Sequence, residues 1–158
     1  METRDSIKRQ RQKESVRILE RLKDILPQVL AKYPVEAAYV YGSIARGTVT
    51  PFSDVDIALL MSSYLPPYEQ LALELSIQGE IEAAGGVSPV DVRSINQSPL
   101  LVKGRIIQQG VLIYERDRVC RIDFEVLTRK QYFDFAPIGH RLGDAFLEHI
   151  HKKGLLHD

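Results

Sequence analysis

The chain has 158 residues, 44% of them hydrophobic, and its 21 basic and 21 acidic side chains cancel to zero net charge. That is room for one hydrophobic core, and it excludes a global basic field of the kind that draws in nucleic acid, so no direct nucleic-acid binding is expected. Cys120 is the only cysteine, which excludes an internal disulfide; with no signal peptide and no apolar run of membrane-crossing length, a reducing, cytoplasmic location is expected.

In chain order, a helical stretch comes first, about residues 4–32. Ile18, Leu22, Ile25 and Val29, with Leu19, Leu26 and Leu30, build an apolar stripe in its second half. Pro27 inside that half predicts a kink or break, and Pro34 a stop. The first half is mostly charged (Lys8, Arg9, Arg11, Lys13, Arg17, with Glu14 and Glu20 as helix partners) and is expected to fray or project as a solvated face. Val35–Tyr41 reads as a strand and Asp54–Leu60 as a second. After Pro66-Pro67 a helix is predicted over Tyr68–Ala84, with Leu71, Leu73, Leu75, Ile77 and Ile81 apolar and Gly85-Gly86 as its end. A strand over Val87–Val92, a helix near Pro99–Gln109 and a short strand Val111–Tyr114 follow. Two helices close the chain, about residues 117–135 and 141–152. The expected fold class is α/β (α+β): a small mixed β-sheet flanked by helices, in one domain over residues 1–158.

The chemistry concentrates at two strand ends. Tyr41-Gly42-Ser43-Ile44-Ala45-Arg46-Gly47 follows the first predicted strand. Gly42 lets the backbone turn sharply and approach a ligand closely, because no Cβ intervenes. Ser43 brings a hydroxyl, the N–H groups after it can point at phosphate oxygens, and Arg46 adds a full charge. After ten intervening residues Ser43 is followed by Asp54-Val55-Asp56. On a strand these two carboxylates share a face, with Cα atoms roughly 6.5 Å apart. Paired carboxylates suit hard cations such as Mg²⁺, and two metals about 3.5–4 Å apart stabilise the attacking and leaving oxygens of an in-line displacement. Asp91, between Val90 and Val92, is a third acid in a strand context, able to bridge to a metal or to take a proton from an attacking hydroxyl.

Gly42-Ser43, ten intervening residues, then Asp54-Val55-Asp56 resembles the signature of the DNA polymerase β-like nucleotidyltransferase superfamily. The longer string, Tyr41–Gly47 with Ser53–Ile57, is similar to its minimal nucleotidyltransferase (MNT) branch, many members of which are antitoxins of HEPN/MNT toxin–antitoxin pairs. The resemblance implies that Gly42, Ser43 and Arg46 hold the triphosphate of ATP, and that Asp54, Asp56 and Asp91 bind two Mg²⁺ ions and carry catalysis. It further implies that AMP is transferred to a tyrosine of a cognate HEPN ribonuclease toxin, which silences it. Two rival readings share these residues: transfer to a small molecule, as in aminoglycoside-modifying relatives, and neutralisation of the toxin by binding alone.

Three further features have plainer readings. His149-x-His151 with His157 is irregularly spaced and near a terminus, which suits a mobile tail better than a metal site. Cys120 reads as a small core residue. Tyr132, Phe133 and Phe135 read as packing, or as a docking patch for a partner helix if exposed.

Overall fold

The structure is a computed structural model that describes residues 3–87 and 89–153. Past residue 135 it describes backbone only, Arg141 excepted, so the three histidines at 149, 151 and 157 lie outside the described side chains. The elements run α1 (Arg4–Leu30), β1 (Val35–Tyr41), α2 (Ser43–Arg46), β2 (Val55–Met61), α3 (Pro67–Gly85), β3 (Val90–Ser94), α4 (Leu100–Gln109), β4 (Val111–Glu115) and α5 (Arg118–Lys153). The four strands form one mixed sheet in the order β3-β2-β1-β4. β1 is antiparallel to both β2 and β4, and β2 is parallel to β3.

Both faces of the sheet are covered. Leu22, Leu26 and Leu30 of α1 and Ile77 and Ile81 of α3 pack on Val40, Ile57, Leu59 and Val92. On the other face Ala37, Tyr39, Ala58, Leu60 and Ile95 meet Ile106 of α4, with Cys120 and Phe124 of α5 packed against them. This explains why β2 reads as a continuous apolar run after Asp56: every residue from Ile57 to Met61 is buried. Gly104 on α4 makes the α4–α5 contact possible, since a Cβ there would collide with the Tyr132 ring.

Several expectations are corrected. α1 does not break at Pro27; it continues to Leu30, and Ala31 N–H donates to Pro27 O at 3.2 Å. Proline inside a helix costs about 3 kcal/mol. Leu26, Val29 and Leu30, all buried, each return roughly 1.5–3 kcal/mol, so burial wins. The charged half of α1 is helical from Arg4, with Ser6 N–H donating to the Thr3 cap. The five apolar residues of α3 do not share a face. Leu73, Ile77 and Ile81 recur every four residues and turn inward, whereas Leu71 and Leu75 stand 54% and 55% exposed. The C-terminus is one helix of 36 residues rather than two. Its aromatic trio splits: Tyr132 packs on Gly104, while Phe133 and Phe135 are exposed.

α5 is locked to the sheet by a polar network inside the second layer. Tyr39, buried on β1, donates its hydroxyl to Glu125 at 2.8 Å, and Arg121 bridges Glu125 and Glu115. Burial, then the Glu125 contact, pushes the Tyr39 phenol far above its usual range, so it stays a donor at every physiological pH.

Leu59, fully buried at the centre of β2, measures what the core contributes. Leu59→Ala is expected to lower unfolding stability by about 2–5 kcal/mol, read as a shifted urea midpoint with an unchanged slope.

Candidate active site

Gly42 ends β1 with φ 73° and ψ −148°, a conformation that residues with a Cβ rarely adopt. The turn starts α2, whose C-cap Gly47 is left-handed at φ 71°. Arg46 N–H donates back to Gly42 O at 3.1 Å and Thr48 N–H to Ser43 O at 2.9 Å, which closes the turn on itself. Gly42 also answers a second demand. A Cβ built on it would collide with Oδ2 of Asp56. The missing side chain is what lets the carboxylate lie against the turn.

Strand register assembles the rest. Tyr41 stands opposite Asp56 across β1–β2, and Asp56 stands beside Asp91 across β2–β3. Val55 N–H donates to Pro89 O at 2.9 Å, tying the two acid-bearing strands where they enter the site. Val55, Val90 and Val92 are buried on the α1/α3 face, while Asp56 and Asp91 stay half-exposed. The acids therefore line the end of the sheet on its α4/α5 side. Asp54 is expected in the strand beside Asp56, but β2 begins one residue later, at Val55, and Asp54 is an exposed loop residue. Its loop is held by a hydroxyl-based turn, in which Thr50 N–H donates to Ser53 Oγ at 2.8 Å and Ser53 N–H to Thr50 O at 3.0 Å.

The electrostatics show the acids acting on one another. Desolvation, followed by the charges of Asp91 and Asp54, holds the Asp56 carboxyl above its ordinary range; Arg46 and Arg93 oppose this. Burial, then Asp56 and Asp91, likewise raises the Tyr41 phenol. Like charges that cannot separate favour either a proton or a cation between them. Asp91 meets Arg93, whose Nε lies 3.3 and 3.4 Å from its two carboxylate oxygens. Among the described residues, no three His, Cys, Asp or Glu side chains are gathered closely enough to hold a metal as they stand. The donor set nonetheless fits a hard cation: the carboxylates of Asp56 and Asp91 stand on adjacent strands, Asp54 is near enough to repel Asp56, and Arg46 and Arg93 only partly offset this repulsion.

Sequence reasoning missed two neighbours of this set. Arg93 lies two residues after Asp91 and shares its face by strand periodicity, so the signal was present. Tyr41 depends on cross-strand register, which a single sequence does not display. A groove of about 580 Å³, lined by Ile7, Arg11, Ile18, Val49, Pro51 and Val87 among others, lies behind the loop and contains none of the predicted site residues.

A Gly-Ser turn leading into a short helix, beside acids on two adjacent strands of a mixed sheet, defines a nucleotidyltransferase core. The family model for polymerase beta nucleotidyltransferases matches residues 8–119, more than half the chain, and the chain belongs to that family. No curated protein matches it. Solved structures share the fold. A chain of a toxin–antitoxin complex crystallised with AMP-PNP aligns with a TM-score of 0.63 at 19% identity, over 79% of this chain and 98% of that one. A chain of the MntA–HepT toxin–antitoxin complex gives 0.58 at 16%, over 80% and 97%. A chain of the tri-AMPylated Shewanella oneidensis HEPN toxin in complex with its MNT antitoxin gives 0.52 at 16%, over 89% and 98%. No helix among the described residues is long and apolar enough to cross a membrane.

Gly42→Ala is expected to lower stability, because it meets both a φ that residues with a Cβ rarely adopt and the Asp56 carboxylate; thermal melts check this. Asp56→Asn is expected to leave the metal-free protein at least as stable as wild type at pH 7. The sign follows from linkage: a raised carboxyl pKa means that the native state binds more protons than the unfolded state between the two pKa values. Wild-type stability therefore falls as pH rises through that window, and the advantage of Asn shrinks as pH drops into the ordinary carboxylate range. Melts from pH 8 to pH 4 without divalent cations read this directly.

Proposed function

We propose that this protein is an antitoxin adenylyltransferase, which moves AMP from ATP to a tyrosine of a cognate HEPN ribonuclease toxin and thereby neutralises it. The observation that carries the reading is the Gly42 turn closed against Asp56, with Asp91 beside it in register. The known complexes with this fold support the partner and the donor: one was crystallised with AMP-PNP, and one holds a tri-AMPylated HEPN toxin.

In this reading Ser43 and the N–H groups after it hold the β- and γ-phosphates, and Arg46, exposed at the end of α2, supplies positive charge beside them. Asp54, Asp56 and Asp91 would hold two Mg²⁺ ions, which when bound polarise the α-phosphate and offset charge on the departing pyrophosphate. The acceptor tyrosine oxygen forms a bond to the α-phosphorus as the bond from that phosphorus to pyrophosphate breaks. The tyrosine proton passes to Asp91. The rim beyond the acids is open, with Asp54 exposed and Phe52 93% exposed, as an acceptor delivered on another protein requires.

A second reading, neutralisation by binding alone, is favoured by the exposed apolar side chains Val119, Ile122, Val126 and Phe133, which recur at helical spacing along α5. The two readings part in cells. With the cognate HEPN toxin expressed, wild type is expected to restore growth. Asp54→Asn/Asp56→Asn, folded and equally abundant, is expected not to. Full rescue by that double variant would leave binding as the mechanism.

A further inference from the structure

β3 is the edge strand of the sheet, so every second amide N–H points away from β2. Three such amides in a row are each taken by a side chain of α3. Val90 N–H donates to Glu82 Oε1 at 2.9 Å, Val92 N–H to Gln78 Oε1 at 3.4 Å and Ser94 N–H to Glu74 Oε1 at 2.8 Å. The acceptors are four residues apart on the helix and the donors two apart on the strand, in opposite chain directions. Four helical residues rise about 6 Å and two strand residues about 6.6 Å, so the two repeats stay in step. α3 therefore acts as a side-chain substitute for the missing neighbouring strand.

Asp91 sits between the first two of these amides. Its strand is five residues long and paired with another strand on one side only, so the amides on its other edge depend on α3 for their partners. Glu82 and Gln78 fix the residue on each side of it. We propose that Glu82 and Gln78 are positioning residues for Asp91, holding it in register beside Asp56 so that a divalent cation can draw on both carboxylates. This rests on the reading of Asp56 and Asp91 as a metal site. It goes beyond sealing an edge, because two directed hydrogen bonds flank Asp91 and add to the register that the burial of Val90 and Val92 sets.

The test compares two double variants of the full chain. Gln78→Met/Glu82→Met keeps volume and removes both acceptors. Gln78→Glu/Glu82→Gln exchanges the two side-chain types and keeps both acceptors and the net charge. Mn²⁺ binding is followed by electron paramagnetic resonance well below the melting temperature, with hydrogen exchange of the β3 amides measured in parallel. Asp91→Asn is the control for the site. Ile81→Val is the control for stability lost from α3 without touching an acceptor. The exchanged variant and Ile81→Val are expected to bind Mn²⁺ as wild type does. The methionine variant is expected to bind about tenfold more weakly, the usual consequence of removing an outer-shell support, and to exchange its Val90 and Val92 amides faster. Wild-type Mn²⁺ affinity in the methionine variant would overturn the positioning role, as would equal weakening in Ile81→Val. Failure of wild type itself to bind Mn²⁺ would overturn the metal reading and the inference with it.

Discussion

The constraint on which the site depends is the approach of the Gly42 backbone to the Asp56 carboxylate. A turn with φ 73° and an acid that would collide with any Cβ at that turn have to coexist. They can do so only if β1 and β2 are registered with Tyr41 opposite Asp56, and that register is held by apolar side chains on both faces of the sheet. Slipping the register by one residue would turn Ile57 and Leu59 out of their layer and carry Asp56 into it. The two core layers thus hold in place the contact on which the site depends.

The same arrangement is electrostatically unfavourable in isolation. Asp56 is partly desolvated and faces Asp91 and Asp54, with Arg46 and Arg93 as partial compensation. A cluster of this kind subtracts from stability and gains a use only when positive charge arrives, the pattern by which binding sites conflict with folding. The chain places that conflict at the end of the sheet, where the acids remain half-exposed or exposed. It keeps the polar network of buried Tyr39 with half-buried Glu125, Arg121 and Glu115 paired beneath α5.

Much of this was legible in the residues. The β1 boundaries, the glycine turn and the burial of Val90 and Val92 around Asp91 follow from period-two alternation and from turn chemistry. What escaped was tertiary. Pro27 reads as a break because local preference says so, and only the burial of its neighbours says otherwise. Leu71 and Leu75 read as core because they are apolar, although their spacing from Leu73 already put them on another face. The role of Glu74, Gln78 and Glu82 was invisible, since polar residues at helical spacing look like a solvated surface until an edge strand is set beside them. Asp54 fell outside β2 by one residue, at the kind of boundary that local pattern defines least well.

The proposed transfer of AMP by the acids beside Gly42 is read without intermediate steps from the intact mass of the toxin. The cognate HEPN toxin would be incubated with this protein, ATP and Mg²⁺, then weighed. A gain of one or more whole AMP masses is expected, retained after denaturation and located on tyrosine by fragmentation. A toxin of unchanged mass that still forms a stable complex with this protein would contradict it.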